Sequence, residues 1–136
     1  MTQTPRDGIV DMIGKENFQW LSQKFDKGTR LKDVPETILE RVGSVDITIR
    51  DYGRDRAAVT TIAMITFAYR MAGKVQDPKY GSNDIALLKV LAKREILRRR
   101  GEVVLENRMW DAPLCQIITG EVGERIRAAK LMTNPM

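Results

Sequence analysis

The chain has 136 residues, enough for one domain that buries most of its apolar surface without disulfides or metals. It has one cysteine and no histidine, which excludes an internal disulfide, a Cys/His zinc site and a Ser-His-Asp triad. The apolar fraction of 43% and the charged fraction of 30% are typical of a folded soluble domain. We therefore predict a single domain over residues 1–136.

The first half of the chain predicts two amphipathic helical segments. Apolar residues recur at helical spacing from Ile9 to Phe25, and Gly14 is a candidate break that would divide this segment in two. A shorter helix is predicted from Pro35 to Val42, because proline favours a first turn and Gly43 follows the last apolar residue.

Residues 44–50 have a different period. Val45, Ile47 and Ile49 alternate with polar residues, which predicts a strand. Residues 103–105 form a second short β-branched run, so the two could pair as a small ribbon.

The strongest helix is predicted over residues 54–72. Its stretch from Ala57 to Tyr69 is uncharged over thirteen residues, too short to cross a bilayer but typical of a buried helix. We expect this helix to be central, with the following side chains heavily buried: Ile62, Ala63, Ile65, Thr66 and Tyr69.

Two more helices are predicted towards the end of the chain. Ser82, Asn83 and Asp84 are good cap residues for a helix that ends near Arg100, before Gly101. A last helix begins after Asp111 and carries an apolar stripe formed by Leu114, Ile118, Val122, Ile126 and Ala129, with Gly120 and Gly123 as candidate breaks. The fold prediction is all-α: a compact bundle of four to five helices around the central helix, with one short β-ribbon as an optional addition.

The net charge of +5 is concentrated in one stretch. Residues 89–100 carry one acid and six cations, whereas the rest of the chain is neutral overall. The cations are Lys89, Lys93, Arg94, Arg98, Arg99 and Arg100. We call them the basic block. Such a block is a candidate surface for a phosphate backbone, although cations also stabilise the last turn of any helix, so a simple solvated helix end is an alternative.

Helical spacing divides the basic block. Lys89, Lys93 and Arg100 fall within about 40° of one another, whereas Arg94 and Arg98 lie on the opposite side. All three arginines at 98–100 are expected to be exposed, so that their replacement would leave the fold intact. Arg50, Arg54 and Arg56 form a secondary basic group, but Asp51 and Asp55 interleave with them and favour local salt bridges.

The chain offers little for catalysis. Its acids are dispersed, and Cys115 lies in an apolar helix start where packing explains it better than reactivity. We therefore expect no enzyme activity, no metal site and no cofactor.

The sequence favours a small structural or assembly protein associated with nucleic acid, such as a coat or nucleocapsid subunit. Binding would be independent of sequence, DNA and RNA are both open, and the protein would form homo-oligomers. The alternative is a regulatory or inhibitory protein that docks on a protein partner, with Trp20, Trp110 and Arg98 to Arg100 as interface anchors. Met1 to Asp11 does not resemble a secretory signal, so we expect no membrane association and a location in the cytoplasm or a nucleoprotein particle.

Overall fold

The computed structural model describes residues 5–74, 82–102 and 112–120, and these residues form a helical bundle. Its helices are α1 (Pro5–Ile13), α2 (Lys15–Gln23), α3 (Glu36–Gly43), α4 (Arg56–Met71), α5 (Ser82–Arg99) and α6 (Leu114–Ile118). Two single 3₁₀ turns, Leu31–Asp33 and Tyr52–Arg54, precede α3 and α4. The predominantly helical fold is confirmed.

Helix α4 is the centre of the bundle, as predicted, because it packs against each of the other five helices. Its buried side includes Ala58, Met64, Ile65 and Ala68. The helix begins cleanly at Asp55, whose carboxylate accepts a hydrogen bond from the Ala58 N–H at 2.8 Å.

One face of α4 departs from the prediction. Ile65 is buried, but Ile62, Ala63, Thr66 and Tyr69 are only half-buried. The uniform apolar character of the helix therefore does not mean that it is enclosed on every side, because the surrounding described helices cover only part of its circumference.

The predicted break at Gly14 is confirmed, and side chains of α3 stabilise it by hydrogen bonds. Gly14 separates α1 from α2 with φ 96° and ψ 134°, a conformation that is open essentially only to glycine. The Arg41 guanidinium of α3 donates to the carbonyl oxygens of Met12, at 2.7 Å, and Ile13. The buried Asn17 side chain also donates to the Ile13 carbonyl and accepts a hydrogen bond from Thr37. These contacts satisfy carbonyls that the end of α1 would leave without partners.

The strand predicted at residues 44–50 is wrong. The Asp46 carboxylate accepts hydrogen bonds from the backbone N–H and the hydroxyl of Thr48, at 2.9 and 2.7 Å, and this turn replaces an extended ladder. Those bonds, with the Lys89 ammonium nearby, hold the pKa of Asp46 below its ordinary value. Val45 is fully buried while Ile47 is exposed, so the alternation reflects a turn lying on the core. Residues 103–105, the proposed partner strand, lie outside the described residues.

The last helix is shorter than the predicted stripe within the described part of the chain. Helix α6 ends at Ile118, and Gly120 follows with φ 97°. Its start is fastened to the loop after α2, because the Leu114 N–H donates to the Thr29 carbonyl at 2.7 Å. The positions of Val122, Ile126 and Ala129 lie outside the described residues.

Within the three described ranges, none of the helices is long and apolar enough to cross a membrane.

Two glycine substitutions should change the stability in opposite directions. Gly14→Ala places a side chain in a conformation that costs about 2 kcal/mol for an L-residue. Gly8→Ala lies inside α1, where an added methyl group meets no atom within 4 Å, and should stabilise the protein by about 0.5 to 1 kcal/mol. Urea unfolding of both variants measures the effects. Equal shifts for the two substitutions would contradict the role assigned to Gly14.

Candidate nucleic-acid interface

The basic block lies on the second half of α5, which packs along α3. Helix α5 is held by the buried side chains of Ile85, Leu88, Leu91 and Ala92. It ends in a Schellman motif: the Glu102 N–H donates to the Leu97 carbonyl, and Gly101 has φ 75°. The stop predicted at Gly101 is confirmed, and the basic block sits on a well-defined helix end.

A buried carboxylate organises this helix end. The Glu95 side chain is 2% exposed and forms ion pairs with two arginines. Arg98 binds it in a bidentate manner, with N···O distances of 2.7 and 2.8 Å, and the Arg99 Nε binds its Oε2 at 2.7 Å. Burial alone would raise the pKa of Glu95, but the hydrogen bonds and charges of the two arginines outweigh it and hold the pKa below the ordinary value.

Arg99 also joins α5 to another part of the chain. Its Nη2 donates to the carbonyl oxygens of Lys32 and Val34, at 3.0 and 2.6 Å, which flank the end of the 3₁₀ turn before α3. Its side chain is 23% exposed. The expectation that all three arginines at 98–100 are exposed is therefore wrong for Arg99, because its guanidinium binds the buried Glu95 carboxylate and two carbonyl oxygens.

Lys89 and Lys93 lie against the end of α3 and the turn that follows it. The Lys89 Nζ donates to the Val45 carbonyl at 2.8 Å, and Lys89 is half-buried. The stem of Lys93 lies over Gly43, where an added methyl group would come within 3.2 Å of the lysine Cγ. Both lysines thus follow the same edge of α3, as their spacing predicts, but only Lys93 is exposed.

The structure therefore separates the basic block into three half-buried cations and three exposed cations. Lys89 and Arg99 hold carbonyls inside the fold, and Arg94 is half-buried. Lys93, Arg98 and Arg100 are exposed, and Arg98 keeps 41% of its side chain exposed while it binds Glu95. We call these three residues the exposed cation group.

The local salt bridges predicted for the secondary basic group are confirmed for Arg54. Arg54 pairs with Asp51 at 3.3 Å, and both side chains are highly exposed. Asp55 is used as the cap of α4. Arg50 and Arg56 are exposed. The group therefore adds positive charge around the start of α4 but does not form a second surface held in place by buried contacts.

Of the two interface candidates, Trp20 and Trp110, only Trp20 lies in the described part of the chain. Trp20 is half-buried, its ring 5.7 Å from that of Phe25, and it borders a shallow cleft of about 300 Å³ with Gln23, Pro35 and Thr37. Trp110 lies outside the described residues.

Cys115 and groups of metal-ligating side chains are the remaining candidates for reactive chemistry. Burial, followed by the nearby charge of Asp26, raises the pKa of Cys115 to about 11, so its thiol is protonated at neutral pH. The described ranges contain no group of three or more acidic, cysteine or histidine residues that could hold a metal ion.

Comparisons of this chain with protein-family models, with curated proteins and with solved structures find no match.

Glu95 is the residue of this helix end whose role the sequence analysis does not predict. There it is only the single acid of the basic block, yet its spacing of three and four residues from Arg98 and Arg99 is that of helical ion pairs. Its apolar neighbours at positions 91, 92 and 96 were the available signal that it faces the core.

Arg99 and Arg100 form a matched pair for testing this division. Arg99→Gln removes a cation from a buried carboxylate and weakens its bonds to two carbonyls, and should lower the free energy of unfolding by about 2 kcal/mol. Arg100→Gln should change it by less than about 0.5 kcal/mol. Chemical denaturation measures both. Equal, small effects would show that Arg99 is as dispensable as an exposed residue.

The ion pairs of Glu95 should be visible in the acid dependence of stability. The folded-state pKa of Glu95 lies below its ordinary value of 4.5, so its contribution is present above that pH and is lost as the pH falls through the folded-state pKa. Glu95→Gln should therefore be less stable than the parent at pH 7, with the difference shrinking below about pH 4.5. Unfolding of both proteins across this range measures it, and a difference that is independent of pH would contradict the assignment.

Proposed function

We propose that this protein is a small, non-catalytic structural or assembly protein that associates with nucleic acid through the exposed end of α5. It would contact the phosphate backbone without reading sequence, and DNA and RNA are both candidate ligands. The protein would act as one subunit of a homo-oligomer, as a coat or nucleocapsid subunit does.

The exposed cation group carries this proposal. Lys93 and Arg98 lie on the last two turns of α5, and Arg100 directly follows the helix. All three are exposed on a helix end that Glu95 and Arg99 hold in place. By helical spacing Arg98 lies on the side opposite to Lys93 and Arg100, so a phosphate backbone would cross the helix end to meet all three. Because the helix backbone is already ordered, binding a polyanion would cost the ordering of the cationic side chains but not that of the backbone, which favours binding. Arg98 binds Glu95 and still keeps 41% of its side chain exposed, so it remains accessible to a ligand in solution.

The surroundings favour phosphate over bases. Residues 82–102 contain no aromatic side chain, so this helix has no platform on which unstacked bases could lie. Contact with phosphate alone predicts binding that tolerates any sequence and weakens steeply with salt.

Apolar surface supports the assembly part of the proposal. Ile47 is 37% exposed in the turn after α3, and Trp20 borders the cleft on α2. Tryptophan is enriched at contacts between subunits, whereas a singly exposed residue such as Ile47 is common on any domain surface, so Trp20 carries this support.

Binding should be tested on the full chain with fluorescent single-stranded DNA, single-stranded RNA and duplex DNA, each in two unrelated sequences. Three phosphate contacts predict a log–log salt slope of about −2 to −3 over about 50 to 200 mM salt. The double variant Lys93→Gln/Arg100→Gln should weaken binding to every sequence alike and make the slope shallower by about 1.5 to 2.

A charge-matched control separates local contact from net charge. Lys24 and Lys27 are both exposed and lie outside the basic block, so Lys24→Gln/Lys27→Gln should leave the slope near that of the parent. Equal effects of the two double variants, or a parent that does not bind, would overturn the nucleic-acid proposal. Sedimentation that shows only monomers at high concentration and low salt would overturn the assembly part.

A second candidate is a protein that docks on a protein partner. Trp20 favours it, because a half-buried tryptophan beside a cleft resembles an interface anchor. Arg99 supports it less than the sequence suggests, since its side chain is 23% exposed and binds Glu95 and two carbonyl oxygens.

A further inference from the structure

A large open groove runs along the half-buried face of α4. It has a volume of about 720 Å³ and lies between α4, α1, α2 and the 3₁₀ turn at Tyr52–Arg54. Sites for small molecules have volumes of about 300 to 1,000 Å³ and are mostly apolar, with a few polar groups that orient the ligand. The described lining includes no residue of α5. The groove is therefore a candidate binding site that is separate from the exposed cation group.

The α4 wall of the groove is a single stripe. Its members follow one another at spacings of three and four residues, which places them on one side of the helix. They are Val59, Ile62, Ala63, Thr66, Phe67 and Arg70. From Val59 to Arg70 the stripe extends over about 16 Å along the helix axis. A ligand that follows this wall is therefore elongated.

The facing walls are apolar as well. Ile9 and Ile13 line the groove from α1, and Phe18 lines it from α2. The Phe18 ring meets the Phe67 ring edge-on, with the ring centres 6.1 Å apart. Ile9 is 45% exposed, so an apolar ligand that covers it would remove its hydrocarbon surface from water. The body of the ligand is therefore hydrocarbon.

One cation lies at the end of the stripe. Arg70 is exposed in the last turn of α4, and its guanidinium carbon is 5.7 Å from the centre of the Phe67 ring, about one turn back along the helix. The side chain therefore leans back along the groove, as helical side chains do. Within the described ranges, no ion pair involves Arg70 and no acidic residue lines the groove. A carboxylate matches the planar donors of a guanidinium, so the ligand carries its anionic group at this end.

We propose that this groove binds a free single-chain fatty carboxylate, with its hydrocarbon chain along the α4 stripe and its carboxylate at Arg70. The apolar walls supply most of the binding free energy, and Arg70 selects the anionic head group and sets the direction of the chain. This inference goes beyond the proposed nucleic-acid function and does not rest on it, since the exposed cation group lies on another helix.

Calorimetric titration of the full chain with decanoate tests the proposal. The titration is run below the micelle concentration at about pH 8, where the carboxylate is ionised. Decanol and decyltrimethylammonium carry the same chain with a neutral and a cationic head group. We expect one decanoate per chain, bound about fivefold more tightly than either of the other two. Equal affinities for the three probes, several decanoate molecules per chain, or no saturable binding would overturn the proposal.

Arg70→Gln separates the head group from the chain. It should weaken decanoate binding by about fivefold and change decanol binding by less than about twofold, because only the carboxylate loses its partner. Arg56→Gln is the charge-matched control, since Arg56 is exposed at the start of α4 and does not line the groove. Equal effects of the two variants on decanoate binding would contradict the role of Arg70.

Ile9→Ser tests the apolar wall. Ile9 is exposed on α1, so the variant should fold, which urea unfolding checks, and it should weaken decanoate and decanol binding alike by about threefold or more. Sedimentation of the same variant tests a second copy of the chain as the occupant. If Ile9→Ser dissociated an oligomer while the parent bound no decanoate, the groove would be a contact between subunits and the proposal would be wrong.

Discussion

The buried carboxylate of Glu95 is the constraint on which the end of α5 depends. A carboxylate at 2% exposure is costly unless cations and hydrogen bonds surround it. Arg98 and Arg99 supply three hydrogen bonds to it, and Arg99 continues to two carbonyl oxygens before α3. The position of α5 relative to α3, and therefore the direction in which its exposed cations project, follows from this network together with the apolar packing.

The same device recurs elsewhere in the bundle. Arg41 donates to carbonyls at the end of α1, Arg99 donates to carbonyls in the segment before α3, and Lys89 donates to a carbonyl in the turn after α3. In each case a long cationic side chain donates to a carbonyl that no helix or sheet satisfies. Several of the chain's cations are thus structural, which is why its net charge overstates the positive surface available to a ligand.

Because some cations of the basic block have structural roles, the proposed interface contains fewer residues than the sequence predicts. Six cations in sequence become three exposed side chains, Lys93, Arg98 and Arg100, on a rigid helix end. Three phosphate contacts give weak binding for a single subunit, and repetition of the site in an oligomer would strengthen it by multivalency.

The sequence by itself determined the helices, because spacing and caps act over a few residues. Gly14 divides α1 from α2 and Gly101 ends α5, as the local sequence predicts. Asp55, which the sequence analysis assigns to salt bridges, instead caps α4. At residues 44–50 the alternation of Val45, Ile47 and Ile49 predicts a strand. The same alternation is equally compatible with a turn in which only Val45 is deeply buried, and the structure has such a turn.

Only the tertiary structure decided which charges are exposed and which face of α4 is covered. Glu95 and Arg99 have ordinary helical spacing, and their burial depends on carbonyls at Lys32 and Val34, more than sixty residues away in sequence. In the same way, the residues from Ala57 to Tyr69 are apolar on nearly every face, yet the neighbouring helices leave Ile62 and Ala63 half-exposed. Local pattern specifies what a residue can do, but burial is a property of everything that packs around it, and that is set by contacts between distant segments.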